Sequence, residues 1–270
     1  MRYCFVYLML LSLCSCKVIE RKIYSPTQIN SPSLKQKNDH SFSATFSLPS
    51  GFDFNGGYAI TNRFAFIGGI YLHKNRDNEE AYSILSRYSA SSSLLYRHKG
   101  FHGGVGTYFP LSKANESFVS FFGGYTKGNF RMDETLIEYF EDSMTTTKNN
   151  FYKSDISRYF LQAGLGLYEK KFELSIVTRF NYVGYSDVTT NYDSSDQYHY
   201  NLPDIAYPAF SQFLDLGFDT KFFLDNKRRV GLQIFGSATT RLNRRDYNFY
   251  HYAFRLGIGI IVRNPFKKTG

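Results

Sequence analysis

The chain has 270 residues, a formal net charge of +9, 43% hydrophobic, 19% aromatic and 20% charged residues. Its mean hydropathy of -0.35, with no apolar run past the N-terminus near the roughly 18 residues of a spanning helix, excludes a multi-helix membrane protein. Only 7 Pro against 21 Gly excludes a disordered Pro-rich chain, and the length suits a single all-β barrel.

In chain order the first element is a leader. Met1-Arg2-Tyr3, an apolar stretch from Cys4 to Leu13 and then Ser15-Cys16 form the basic start, short apolar core and small-residue break of a secretory signal. All three cysteines (Cys4, Cys14, Cys16) lie here, so the body carries no disulfide and no thiolate metal site. Leu13-Cys14-Ser15-Cys16 resembles the lipobox of bacterial lipoproteins. That resemblance implies cleavage before Cys16 and acylation of its sulfur and amine by palmitate-like chains, anchoring the mature chain through buried methylenes. Residues 1–15 are then the signal peptide, and loss of Arg2 takes the charge from +9 to +8. Residues 16–40 hold Ser25-Pro26 and Ser31-Pro32 with little apolar periodicity, the pattern of a flexible tether.

From Ser41 the period is two, as in a sheet with one apolar and one polar face. Phe42, Ala44, Phe46 and Leu48 alternate with Ser41, Ser43, Thr45 and Ser47, and Tyr252 to Val262 alternates in the same way. Ten strands are expected, at 41–48, 52–60, 63–73, 99–109, 117–130, 152–168, 171–186, 211–224, 229–241 and 248–263. The barrel then spans 41–264, followed by a tail at 265–270. Connections at 61–62, 111–116, 169–170 and 225–228 are tight, whereas 74–98, 131–151 and 187–210 are long. Their alternation puts tight turns on one rim and long loops on the other, with both chain ends on the tight-turn rim. Several strands reach the ten or so residues that cross a bilayer at a tilt. Aromatic pairs at strand ends, such as Tyr108-Phe109, Tyr159-Phe160 and Phe222-Phe223, suggest girdles at the two water interfaces. The fold class expected is all-β: a closed, antiparallel, up-and-down membrane β-barrel of about ten strands.

With the leader, the Gly56-Gly57-Tyr58-Ala59-Ile60-Thr61-Asn62-Arg63-Phe64 hairpin, the Gly164-Leu165-Gly166 strand and the final strand in view, the chain resembles small outer-membrane β-barrel proteins of Gram-negative bacteria, in particular lipobox-bearing barrels of the Bacteroidota type. The resemblance implies a cell outer-membrane location with an N-terminal lipid anchor in the inner leaflet. One departure is that Asn264 to Gly270 follows the last strand, where such barrels usually end on an aromatic.

Alternation alone leaves open which face meets lipid. Gly217, Gly231, Gly257 and Gly259 recur on the polar face, and charges of both signs share it; both favour a narrow polar lumen with the apolar face outside. The lumen-lining residues are then Glu173, Arg179, Asp215, Asp219, Lys221, Gln233 and Arg255. They form either a salt-bridged filling or a narrow conduit. Membrane lipid is the expected partner. Basic residues on the tight-turn rim, including Lys113, Lys170, Lys171, Lys227, Arg228, Arg229, Lys267 and Lys268, suit anionic head groups or an acidic cell-wall polymer. Nothing points to nucleic acid. In the acidic 131–151 loop, Leu136, Ile137, Tyr139 and Phe140 suggest a short helix over the barrel mouth. Asp193, Asp196 and Asp204 lack EF-hand spacing, so no metal and no cofactor are expected. None of His40, His73, His98, His102, His199 and His251 falls in a catalytic motif. The expected role is therefore non-catalytic: structural, interaction-based or a narrow conduit. The alternatives are a lipid-tethered soluble barrel holding an apolar ligand, or a lipid-modifying barrel enzyme using His251 or His199 beside a loop Ser.

Overall fold

The computed structural model describes residues 19–32, 34–49, 51–83, 88–111, 117–140, 143–169, 171–200, 202, 210–243 and 250–264. Cys16, Lys113, Lys170, Asp204, the 1–15 leader and the 265–270 tail lie outside them. Ten strands close into one barrel: β2 (His40–Leu48), β3 (Gly51–Ala59), β4 (Phe64–Ser83), β5 (Tyr88–Pro110), β6 (Ser117–Phe140), β7 (Ser143–Tyr168), β8 (Phe172–Thr190), β9 (Phe210–Phe223), β10 (Val230–Arg241) and β12 (Phe254–Arg263). Each pairs antiparallel with its neighbour, and β12 closes onto β2 through Ile258↔Phe46. Two short strands, β1 (Lys22–Tyr24) and β11 (Tyr250–His251), form a separate parallel pair.

Tight turns gather on one rim, where Ile60 N donates to Phe64 O (2.9 Å), Leu111 N to Ser117 O (2.9 Å), Glu169 N to Phe172 O (2.8 Å) and Leu224 N to Val230 O (2.9 Å). On the other rim, two of the expected long loops are strand instead. The 74–98 stretch extends β4 and β5 as far as Ser83 and Tyr88, and 131–151 extends β6 and β7 to Phe140 and Ser143. The helix expected at 136–140 is therefore β-strand, and the one short helix among the described residues is α1 (Ser194–His199). Because the β2–β3 hairpin ends at Leu48 and Gly51, level with His73, the wall from β4 to β8 projects well beyond it.

The reason those loops are strands is a reversal of face polarity. In the barrel proper the exposed side chains are apolar, for example Phe46, Phe66, Leu72, Phe101, Val105, Leu161, Ile176 and Ile258, and the polar ones point inward. In the projecting wall Ala90, Leu94, Tyr96, Met132, Leu136 and Tyr152 are buried inside, and Ser93, Arg97, Arg131 and Lys153 are exposed. Along β5 the apolar set moves from even positions to odd ones between Tyr96 and Phe101. A single-phase reading loses the period there, although the backbone stays extended.

The expected girdles are half present. Adjacent strand residues face opposite ways, so Tyr159 and Phe222 are exposed while their partners Phe160 and Phe223 are buried.

The largest departure concerns the expected flexible tether. Ile19, Arg21, Ile23, Tyr24, Thr27, Gln28, Ile29, Asn30, Ser31 and Leu34 are all buried. From His40 the chain turns back and runs along the barrel axis. Leu34 packs with Ala59, Ile67, Tyr108, Phe122 and Phe160 at the tight-turn end. Ile19 and Ile23 pack with Leu94, Met132 and Leu136 inside the projecting wall. The segment therefore crosses from the tight-turn rim to the long-strand rim, and the expectation that the N-terminal end stays on the tight-turn rim is corrected. Its sequence gave no period because it lies in no sheet for most of its length.

Candidate functional site

An extended segment without strand neighbours carries unpaired carbonyls, and buried carbonyls require donors. Here the barrel wall supplies them. From the tight-turn end upward, Tyr168 Oη donates to Leu34 O (3.3 Å) and Lys221 Nζ to Ser31 O (2.6 Å). Gln162 Nε2 donates to Asn30 O (2.9 Å), Arg179 Nη2 to Thr27 O (2.8 Å) and Arg255 Nη1 to Pro26 O (2.9 Å). Side chains complete the docking. Gln28 Oε1 accepts from Thr45 Oγ1 (2.6 Å) and Asn55 Nδ2 (2.8 Å), and Arg158 Nη2 donates to Thr27 Oγ1 (2.7 Å). Two wall glycines make room: a Cβ on Gly217 would lie 2.8 Å from Ile29 Cδ1, and one on Gly57 would collide with Pro32.

All seven residues expected to line the lumen are buried on the inner wall, and they fall into clusters. Arg179 pairs with Asp215 (2.9 Å), which also accepts from Asn181 Nδ2 (2.9 Å) and Thr239 Oγ1 (2.7 Å). Lys221 pairs with Asp219 (3.1 Å), to which Gln233 Nε2 donates (2.8 Å). Glu173 accepts from Arg263 Nη1 (2.9 Å) near the tight-turn rim. Arg255 pairs with Asp53 and donates to Ser47 Oγ (2.8 Å from Nε). Arg179, Lys221 and Arg255 thus each join a wall carboxylate to a carbonyl of the inner segment. Buried pairs of this kind add little net stability over an apolar filling, but removing one partner costs about 3–5 kcal/mol. They therefore fix where the segment lies more than how firmly the wall holds together.

Sequence reasoning missed Asp53, His73, Glu134 and Arg158. The signal for Asp53 was present, since it stands alone between Phe52 and Phe54 in strand alternation. Glu134 was assigned to an acidic loop. It is buried in β6 and accepts from Arg21 Nη2 (2.8 Å), Ser92 Oγ (2.6 Å) and Tyr192 Oη. Arg21 also stacks under Tyr200, 3.4 Å from the ring centroid. Burial first, then the Glu134 carboxylate, push the Tyr192 phenol up, so it keeps its proton and donates it. Tyr192 and Tyr200, on either side of α1, thereby pack over Arg21 inside the projecting wall.

One constellation has the residue types of an acyl-transfer triad. His73 lies 3.4 Å from Ser25 Oγ through Nδ1 and 3.4 Å from Asp53 through Nε2. Arg255 Nη2 stands 2.9 Å from His73 Nε2. The two protons of that Arg255 nitrogen also have Ser47 Oγ (2.6 Å) and Asp53 as acceptors, so Arg255, His73 and Asp53 form one buried polar cluster beside the inner segment. Of the two histidines expected in the enzyme alternative, His251 faces Thr239 O (3.3 Å) and packs edge-on against Phe213, and the side chain of His199 lies outside the described residues. Among the described residues no group of three His, Cys, Asp or Glu is placed to hold a metal ion.

No family model matches the chain, and no curated protein matches it. Solved structures do. The outer membrane protease OmpT from Escherichia coli is similar at a TM-score of 0.57 and 8% identity, over 87% of this chain and 99% of that one. The CymD monoaromatic hydrocarbon channel is similar at a TM-score of 0.37 and 9% identity, over 86% of this chain and 90% of that one. The toluene transporter TodX of Pseudomonas putida follows at 0.31 and 9%, over 83% and 87%. The first likeness, with the closed ten-stranded ring, makes this an outer-membrane β-barrel fold. At such identities it carries the fold alone.

Proposed function

We propose that this protein is a non-catalytic outer-membrane lipoprotein barrel, closed by its own N-terminal segment, that presents its long-strand rim to the exterior in a structural or interaction role. The observation supporting this is the path of residues 19–34, which occupy the lumen and are held at Thr27, Asn30 and Ser31 by wall donors. A conduit role requires that segment to leave. A barrel holding an apolar ligand in its centre is disfavoured, because the apolar side chains of the barrel proper face outward and the lumen is filled. The anchor reading rests on the Leu13 to Cys16 lipobox.

Planar-bilayer recording tests the closure. The full chain is expected to be silent, and an internal deletion of 19–34 to conduct; steady conductance from the intact chain overturns it. Acylation is tested by incorporation of a labelled palmitate analogue, present in the wild type and lost in Cys16→Ala. An epitope inserted between Cys16 and Ile19 is expected to bind antibody on intact cells, and binding only after permeabilisation overturns the threaded path.

A further inference from the structure

The projecting wall carries four cations in one cross-strand row on its outer face. Lys74 of β4 stands opposite Arg97 of β5, Arg97 opposite Arg131 of β6, and Arg131 opposite Lys153 of β7. All four are exposed. In the next outward row toward the barrel, Lys99 lies between Leu72 and Asn129. These residues line an open cavity of about 530 Å³.

Like charges placed directly opposite one another destabilise a sheet, and here three such pairs follow in succession. Only part of that repulsion is relieved internally. Asp133 reaches Arg97 (3.1 Å) and Arg131 (2.7 Å). Among the described residues no carboxylate pairs with Lys74, Lys99 or Lys153. The position is equally specific: Leu72 and Phe101, immediately toward the barrel, are exposed and apolar, so the row sits at the upper edge of the apolar belt. With strands about 4.8 Å apart, four cations span about 14 Å, wider than one phosphate group.

We propose that this row is a binding site for the phosphates of a multiply phosphorylated lipid headgroup at the membrane boundary. Arg97 and Arg131 supply planar, forked donors suited to phosphate, and Lys74, Lys99 and Lys153 supply point charges around them. The acyl chains of the same lipid lie along Leu72 and Phe101. The inference rests on the membrane placement of the apolar belt, and neither on the threaded segment nor on acylation.

The test is lipid binding to the full-length protein in neutral detergent, counted by native mass spectrometry. Diphosphorylated lipid A is expected to bind at least tenfold more tightly than the monophosphorylated form or phosphatidylglycerol. The quadruple variant K74Q/R97Q/R131Q/K153Q is expected to lose at least tenfold. The milder pair Lys99→Gln and Lys153→Gln, which removes no ion pair among the described residues, is expected to lose about threefold each and guards against misfolding of the quadruple variant. Equal binding of phosphatidylglycerol means adsorption by net charge and overturns the proposal. Inorganic pyrophosphate competing as well as the lipid means a free-anion site and overturns the lipid assignment. Unchanged affinity in the variants overturns it outright. Val105→Arg, within the belt on β5, separates the two readings: if that change leaves the barrel as stable as before, the belt placement itself fails. If it destabilises while lipid titration stays flat, the headgroup site alone falls.

Discussion

Asp215 shows what single residues contribute inside the lumen. It is fully buried and accepts from Arg179, Asn181 and Thr239, so it neutralises the cation that grips Thr27. Asp215→Asn keeps the shape and removes the charge, leaving Arg179 uncompensated. The expected cost is about 3–5 kcal/mol, read as a lower urea midpoint of the detergent-folded barrel; an unchanged midpoint would mean that water reaches Arg179. Glu134 acts at the other end of the segment. Arg21 is 2% exposed and engaged by Glu134, so trypsin is expected to spare Arg21 and Lys22 in the native chain. Glu134→Gln is expected to make that site cleavable while the barrel remains folded. Equal resistance of both proteins would show that Glu134 does not hold the segment. Asp215 and Arg179 were legible from strand parity. Glu134 was not, because the phase of the pattern reverses between the barrel and the wall that carries it.

Elements differ in how far local pattern specifies them. β12 and β2 alternate cleanly, and their register in the barrel (Ile258↔Phe46, Ile260↔Ala44) follows from keeping both apolar sets outside. The projecting halves of β4 to β7 keep the same backbone but answer to another environment. Outside the belt, water wets the outer face and the inner face packs on Ile19, Ile23 and Tyr24. The two environments are separable by mutation on one strand. Val105 and Ser93 both face outward from β5. Val105→Arg is expected to destabilise by about 2–4 kcal/mol, as for a cation placed on the lipid face near mid-membrane, and Ser93→Arg by less than about 0.5 kcal/mol, as for an ordinary surface site. Refolding titrations in lipid vesicles measure both. Equal, small effects would place Val105 in water and remove the membrane reading of the belt.

On the scale of the whole molecule, the barrel and its N-terminal segment form one structure. The lumen-facing cations Arg179, Lys221 and Arg255 are buried, and the segment's carbonyls complete their hydrogen bonding, so the barrel closes around a filled lumen. Cutting out 19–34 leaves Arg158, Arg179, Lys221 and Arg255 facing an open passage, which is why the deletion is expected to convert a silent barrel into a conducting one. It also separates two contributions to stability. Loss of the segment should lower the melting temperature of the barrel without abolishing its closed ring, since the ten strands of that ring lie wholly within 40–263 and only the short β1–β11 pair is lost; failure of the deleted chain to fold would make the segment part of the folding nucleus.

The sequence by itself determined the closed all-β barrel and the sorting of tight turns to one rim, and it favoured an outward apolar face that the exposures then decided, because a period of two and an alternation of connection lengths are local properties whereas the choice of face is not. Three things were settled only in three dimensions. The segment at 19–34 has no period, since its partners are polar groups far away in the chain. The wall at 74–98 and 131–151 has its period inverted, since water replaces lipid outside it. The row of Lys74, Arg97, Arg131 and Lys153 exists only through register, which sets side by side four residues drawn from strands 20 or more residues apart.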